Sequence, residues 1–153
     1  MEKIMDKINM AWGLTVAVFS TIFGEHWYLF AAFMLLNVFD YITGIIKAKL
    51  SHTENSNKGL KGIIKKVGYW VVIAIAFFIA FYFADMGTLI GVDLGFTTII
   101  GWFTLATFII NEIRSILENL VAIGVDVPSF LTKGLSVAAE KMKEGYSDEE
   151  NRA

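Results

Sequence analysis

The sequence contains four long stretches that are almost free of charged residues. Residues 8–24, 67–84 and 94–111 contain no Asp, Glu, Lys or Arg, and residues 27–46 contain one, Asp40. Eighteen helical residues rise about 27 Å, which is close to the hydrocarbon thickness of about 30 Å in a bilayer. The pattern therefore predicts an all-α integral membrane protein with four transmembrane helices.

Composition excludes several classes of protein. Of the 153 residues, 56% are hydrophobic and 18% are charged, whereas a soluble domain has about 45–50% and about 25%. The net charge of −2 argues against a nucleic-acid-binding surface. The chain has no Cys, and its two His residues, His26 and His52, are isolated. Since no hydrolase, metalloprotease or phosphate-loop motif occurs either, we expect no enzymatic activity, no cofactor, no metal site and no nucleic-acid partner.

The first stretch has two readings. Its small residues Gly13, Ala17, Ser20 and Gly24 recur at helical spacing, and small residues allow helices to approach closely in lipid. This pattern favours a spanning helix. The alternative is an amphipathic helix that lies on the membrane surface, which would leave three spanning helices.

The basic residues predict the orientation. In the four-span arrangement all 13 Lys and Arg residues fall on one side of the membrane, and the other side carries only Glu25, Asp85 and Asp93. The positive-inside rule places both termini in the cytoplasm. It also places there a basic loop that we expect to contact anionic lipid; its lysines are Lys47, Lys49, Lys58, Lys61, Lys65 and Lys66.

The C-terminal third continues the helical pattern. Amphipathic helices are predicted over residues 111–123 and 128–143, separated by Gly124 and Pro128. Residues 144–153 are predicted to form a solvated, mostly acidic tail after a single membrane domain of residues 1–143. A separate glycine series, Gly87, Gly91 and Gly95, is predicted to form a flexible turn.

Polar residues near the spans are the candidate functional residues. Asp40 lies about 5 Å from the middle of its predicted helix, where a carboxylate is costly. It is expected to face a partner helix or a water-filled lumen, or else to reach the cytoplasmic edge and pair with Lys47. A second polar face is expected to line an opening or join subunits, or else to be the wet side of an ordinary cytoplasmic helix; it includes Asn111, Arg114, Ser115 and Glu118.

Three motifs carry a resemblance to a known family. They are D-x-x-T-G at residues 40–44, G-x-x-G-x-x-K-K at residues 59–66 and N-E-x-x-S-I-L-E-N at residues 111–119. In this order and approximate spacing they resemble the phage-lysis and toxin-secretion holins of Gram-positive bacteria and their phages. The resemblance covers most of residues 27–131, although the loop at 51–57 lacks the usual paired serines.

The resemblance implies a holin that oligomerises in the cytoplasmic membrane and opens lesions for an endolysin or a toxin, a cargo without a specific binding site. It places Asp40 and Thr43 at a helix–helix or lumen surface, with Gly44 permitting close approach. The polar face at Asn111, Arg114, Ser115 and Glu118 would then lie between subunits or along a lumen. The alternative function is a membrane scaffold or regulatory subunit that docks a cytosolic partner through the basic loop and the C-terminal helices.

Overall fold

The computed structural model describes the backbone of residues 2–150 and the side chains of residues 2–145. Within this range every regular element is helical, which confirms the predicted all-α class. The five α-helices are α1 (Glu2–Phe23), α2 (Trp27–Leu50), α3 (Ser56–Ile90), α4 (Thr98–Ala122) and α5 (Ser129–Glu150). Short 3₁₀ turns at Gly24–His26 and Gly95–Thr97 precede α2 and α4.

Three helical stretches of the described chain are long and apolar enough to cross a bilayer. They are Glu2–Leu50, Ser56–Ile90 and Gly95–Ala122, so that α1 and α2 together form the first. The outward face of α3 shows why lipid suits them: an exposed apolar stripe repeats at helical spacing along it, made of Val71, Ile75, Phe78 and Tyr82. Large apolar patches of this kind are rare on soluble monomers.

Helix α1 joins the rest of the molecule only through its C-terminal turns. Gly24 adopts a left-handed conformation, φ 67°, which redirects the chain. The Phe23 ring then stacks on Phe30 with 4.1 Å between centroids, and Phe19 lies 5.7 Å from the same ring. Residues 2–15 are all exposed. The predicted span 8–24 is therefore helical but does not pack along the other helices in a single chain.

Helices α2, α3 and α4 form the bundle that contains the core. Phe33 of α2, Ile73 and Phe77 of α3, and Leu105 of α4 are fully buried. The Phe77 ring meets Trp102 of α4 edge to face at 4.9 Å, a favourable aromatic geometry. In lipid, close packing of this kind replaces the hydrophobic effect as the force that holds helices together.

Gly101 sets the distance between α3 and α4. A Cβ at this position would lie 3.0 Å from Cδ1 of Phe77 and 3.3 Å from Cβ of Ala80. Both neighbours are buried and have little room to move. The absence of a side chain at Gly101 therefore permits the close contact between these helices.

Replacing Gly101 with alanine is expected to lower the free energy of unfolding by about 1–3 kcal/mol, because the added methyl group overpacks the α3–α4 contact. Gly68→Ala is the matched control, since a Cβ at Gly68 meets nothing within 4 Å. Denaturant titration in mixed micelles, followed by helical circular dichroism, measures both. A Gly101→Ala protein as stable as the Gly68→Ala protein would contradict the expectation.

The helices extend beyond the predicted spans. The predicted span 27–46 lies within α2, and the span 67–84 is the middle of α3, which is about 52 Å long and exceeds the bilayer core. Gly87 lies inside α3 rather than in the predicted flexible turn. A Cβ there would be 2.5 Å from the carbonyl oxygen of Val92. The turn itself contains Gly91, with φ 73°, and Gly95.

The C-terminal boundaries also differ in part. Most of the predicted span 94–111 and of the predicted amphipathic helix 111–123 forms one continuous helix, α4, which begins at Thr98 and ends at Ala122. That helix ends before Gly124, which adopts φ 88°, and α5 begins directly after Pro128, as predicted. Helix α5 packs against α4 and continues to Glu150, past the predicted end at residue 143. Residues 151–153 of the predicted tail lie outside the described residues.

Candidate functional site

Charged side chains from all three bundle helices meet inside the bundle. Nζ of Lys66, on α3, lies 3.0 Å from Oδ2 of Asp40 on α2 and also bonds to Oε2 of Glu112 on α4. The side chains of Asp40 and Lys66 are each 15% exposed, and that of Glu112 is 5% exposed. One ammonium group thus joins two carboxylates on two different helices.

Asn119 extends this cluster toward the basic end of the bundle. Its Nδ2 donates to Oδ1 of Asp40 at 3.1 Å and to Oγ1 of Thr43 at 3.3 Å. Its Oδ1 accepts from Nζ of Lys47 at 3.3 Å. We call these six residues the buried polar network; they are Asp40, Thr43, Lys47, Lys66, Glu112 and Asn119.

Helical spacing explains why these residues share one side of their helices. Asp40, Thr43 and Lys47 follow the i, i+3, i+7 pattern on α2, and Glu112 and Asn119 are seven apart on α4. Asp40 lies about 20 Å from the start of α2, and Glu112 about 21 Å from the start of α4. The charged centre is therefore level on both helices, within a hydrocarbon core of about 30 Å if each helix begins at the opposite surface.

The charges of the network balance. Asp40 and Glu112 contribute two carboxylates, and Lys47 and Lys66 contribute two ammonium groups. Burying an isolated charge costs several kcal/mol, and pairing with additional hydrogen bonds offsets much of that cost. Because every charged member has at least one bonded partner, the network fastens the three helices together. It also fixes their register, because the bonds are directional.

The structure places the predicted residues of α2 in this network or beside it. Asp40 faces partner helices and pairs with Lys66, and it reaches Lys47 only through Asn119. Thr43 bonds to Asn119 as well as to the carbonyl oxygens of its own helix. At Gly44 a Cβ would lie 3.7 Å from Nδ2 of Asn119, an ordinary contact distance, so α4 passes Gly44 without requiring a glycine there.

The lysines of the basic loop separate into two groups. Lys47 and Lys66 belong to the buried polar network, at whose exposed end Lys47 lies. The other four are exposed and stand outside the network; these are Lys49, Lys58, Lys61 and Lys65. The ammonium group of Lys65 lies 5.7 Å from the centre of the Tyr69 ring, within cation–π range. All six lysines lie on α2 or α3 rather than in the loop proper, which spans residues 51–55.

The predicted polar face of α4 points away from the network. Asn111, Arg114 and Glu118 are exposed and Ser115 is half-buried. Within the described side chains, none of the four makes a side-chain hydrogen bond or ion pair. We call these four residues the outer polar strip. Helix α4 thus carries polar groups on two faces, of which only the inner one is satisfied within a single chain.

Sequence reasoning missed Glu112 and Asn119 as site residues. Both stand in the motif at residues 111–119, and their seven-residue spacing puts them on one helical face. That spacing was the available signal.

Two further buried polar atoms, Oδ1 of Asn37 and Nε1 of Trp70, have no hydrogen-bond partner. No group of three or more His, Asp or Glu side chains in the described chain is arranged to hold a metal ion.

Comparisons with known proteins agree with the motifs. A family model described as the bacteriophage holin family matches residues 17–140. A probable holin of Bacillus phage phi105 is 31% identical, over 76% of this chain and 77% of the relative. These matches confirm the resemblance drawn from the three motifs.

Two further relatives cover more of the chain. An uncharacterised 14.9 kDa protein of the nagH 3′ region in Clostridium perfringens is 38% identical, over 88% of this chain and 95% of the relative. An uncharacterised protein of Halalkalibacterium halodurans is 32% identical, over 84% and 92%. No solved structure matches the chain at a significant level. The sequence similarity to these two relatives therefore extends over most of this chain.

Proposed function

The chain belongs to the bacteriophage holin family, and from this membership we propose that it permeabilises the cytoplasmic membrane of a bacterial host. In this proposal copies of the chain accumulate, associate and open lesions through which an endolysin or a toxin leaves the cell. The chain acts as a membrane-inserted, multi-pass protein without catalysis. The cargo passes through the lesion without a specific binding site.

The outer polar strip is the observation that carries the proposal. It begins about 20 Å along α4 and ends about 30 Å along it. In the proposed orientation this is the cytoplasmic half of the membrane. Polar side chains at that depth require protein partners or water. The described part of a single chain supplies neither to Asn111, Arg114 or Glu118. Association with a second copy, or exposure to a water-filled lesion, satisfies them.

The exposed length of α1 supports association of several copies. Residues 2–15 contact no other part of the described chain closely enough to be buried, and Gly13 has open space around its Cβ position. Gly13 and Ala17 lie on the small-residue face predicted to favour helix–helix contact. In the proposal α1 crosses the membrane beside the bundle and packs against a neighbouring subunit.

The orientation places the basic residues in the cytoplasm. The ends of α2 and α3 beside their connecting loop carry six lysines. The opposite end of the bundle carries Glu25, Asp85 and Asp93. With four spans, the positive-inside rule puts both termini and this loop on the cytoplasmic side. The buried polar network then lies in the cytoplasmic half of the membrane, at about the same depth as the outer polar strip.

Induced expression tests the function. In cells that also produce a muralytic enzyme lacking its own export signal, expression of the chain is expected to collapse the membrane potential and release the enzyme, so that the culture clears. Cells that produce the enzyme alone serve as the control. Full membrane levels of the chain with an intact potential and retained enzyme would contradict the proposal. Co-purification of a cytosolic protein in that case would support the scaffold alternative.

A further inference from the structure

A groove of about 870 Å³ opens between the C-terminal half of α2 and the first turns of α3. Its lining is largely apolar and includes Tyr41, Ile45 and Ile63. The α2–α3 loop borders its mouth at Thr53–Ser56. In the proposed orientation the groove therefore runs from the hydrocarbon of the cytoplasmic leaflet to the headgroup region.

Two ammonium groups in the groove lack a carboxylate partner. Lys47 and Lys58 both line it. Lys47 bonds only to the neutral amide of Asn119, and Lys58 makes no side-chain bond within the described chain. Lys66 also borders the groove, but its charge is already balanced by the network. The lining also includes the carboxylate of Glu54, so Lys47 and Lys58 leave one positive charge in excess for an anion that enters the groove.

Gly59 and Gly62 line the groove, and packing within the chain does not require a glycine at either position. A Cβ at Gly59 or at Gly62 would meet nothing within 4 Å. Glycine weakens a helix interior relative to alanine, so neither position is explained by packing inside the chain. Their effect is to expose bare helix backbone along a groove that lies beside two unpaired lysines.

We propose that this groove binds an anionic phospholipid of the cytoplasmic leaflet. The phosphodiester lies between Lys47 and Lys58, the glycerol backbone rests against Gly59 and Gly62, and an acyl chain follows the apolar wall. The assignment rests on the proposed orientation, which puts the groove at the cytoplasmic surface. It does not rest on lesion formation, so the two proposals can fail separately.

Lipid retention by the purified full-length chain tests the site. After exposure to equal amounts of phosphatidylglycerol and phosphatidylcholine in detergent, native mass spectrometry counts the lipid that each chain keeps. The wild-type chain is expected to prefer phosphatidylglycerol. The double variant Lys47→Gln/Lys58→Gln is expected to bind it about 25-fold more weakly, from a factor of about five for each lysine.

Matched variants separate the groove from general surface charge. Lys49→Gln/Lys61→Gln removes two exposed lysines that do not line the groove and is expected to stay within about twofold of the wild type. Gly62→Leu fills the groove without changing charge and is expected to lose the lipid, whereas Gly68→Leu, outside the groove on the same helix, is expected to keep it. Gly62→Leu also keeps the test decisive if loss of Lys47 disturbs the network.

Three results would overturn the proposal. The first is equal retention of the two lipids by the wild-type chain. The second is retention by Lys47→Gln/Lys58→Gln or by Gly62→Leu that matches their controls. The third is displacement of phosphatidylglycerol by millimolar inorganic phosphate, which would identify a site for a soluble anion instead of a lipid.

Discussion

Replacing Lys66 with methionine is expected to destabilise the chain, so that little folded protein is found in the membrane. Lys66 is the one residue of α3 in the buried polar network, and it bonds to carboxylates on both α2 and α4. Without it, Asp40 and Glu112 are left as two buried negative charges. Breaking a buried ion pair from one side typically costs about 3–5 kcal/mol, which is a large fraction of the stability of a small domain.

Two comparisons show whether charge is the cause. Lys65→Met removes the neighbouring, exposed ammonium group and is expected to be nearly neutral. The triple variant Asp40→Asn/Lys66→Met/Glu112→Gln removes the whole charged centre and is expected to recover most of the stability, because neutral polar groups bury at lower cost. Membrane-fraction levels and denaturant titration measure all three. A Lys66→Met chain as abundant and stable as Lys65→Met would contradict the network.

Replacing Arg114 with leucine is expected to abolish lesion formation while leaving each chain folded. Arg114 lies on the outer polar strip and makes no side-chain hydrogen bond or ion pair with the described side chains, so its loss leaves the internal network intact. Interhelical hydrogen bonds in membranes contribute about 0.6–2 kcal/mol each. Loss of one contact therefore weakens association about 3- to 30-fold at each subunit interface, and the losses multiply around an assembly.

The matched control is Lys133→Leu, which removes one exposed basic residue of α5 from the same end of the molecule. Cross-linking in membranes reports the assembly size, and depolarisation reports the lesion. Arg114→Leu is expected to give smaller cross-linked species and no depolarisation, and Lys133→Leu is expected to resemble the wild type. Wild-type assembly and depolarisation by Arg114→Leu would remove the strip from the mechanism.

The apolar helices could be predicted because charge and length act locally along the chain. Seventeen to twenty uncharged residues suffice to indicate a crossing helix, whatever the other helices do. The helix ends could not be predicted in the same way. Charge marks where a helix leaves the hydrocarbon, and it does not mark where the helix stops. The lysine-rich residues 58–66 contain no proline and continue α3 by several turns before the predicted span.

The partners of Asp40 could not be predicted from local spacing. Lys66 lies 26 positions further along the chain and Glu112 lies 72 positions further, and their meeting depends on how three helices pack in register. Polarity also misled the assignment of α4. Polar residues are usually assigned to the outside of a helix, and this holds for Asn111 and Arg114. Glu112 and Asn119 are buried because they bond to charged side chains on the neighbouring helices.

Release of trapped solutes from vesicles tests the central claim most directly. The purified chain is reconstituted into vesicles that contain both a small dye and a protein of endolysin size, at increasing numbers of chains per vesicle. Our account predicts that both solutes leave together above a threshold density, because subunits must assemble before a lesion opens. Retention of both solutes at every density, by chains shown to be inserted and helical, would contradict it.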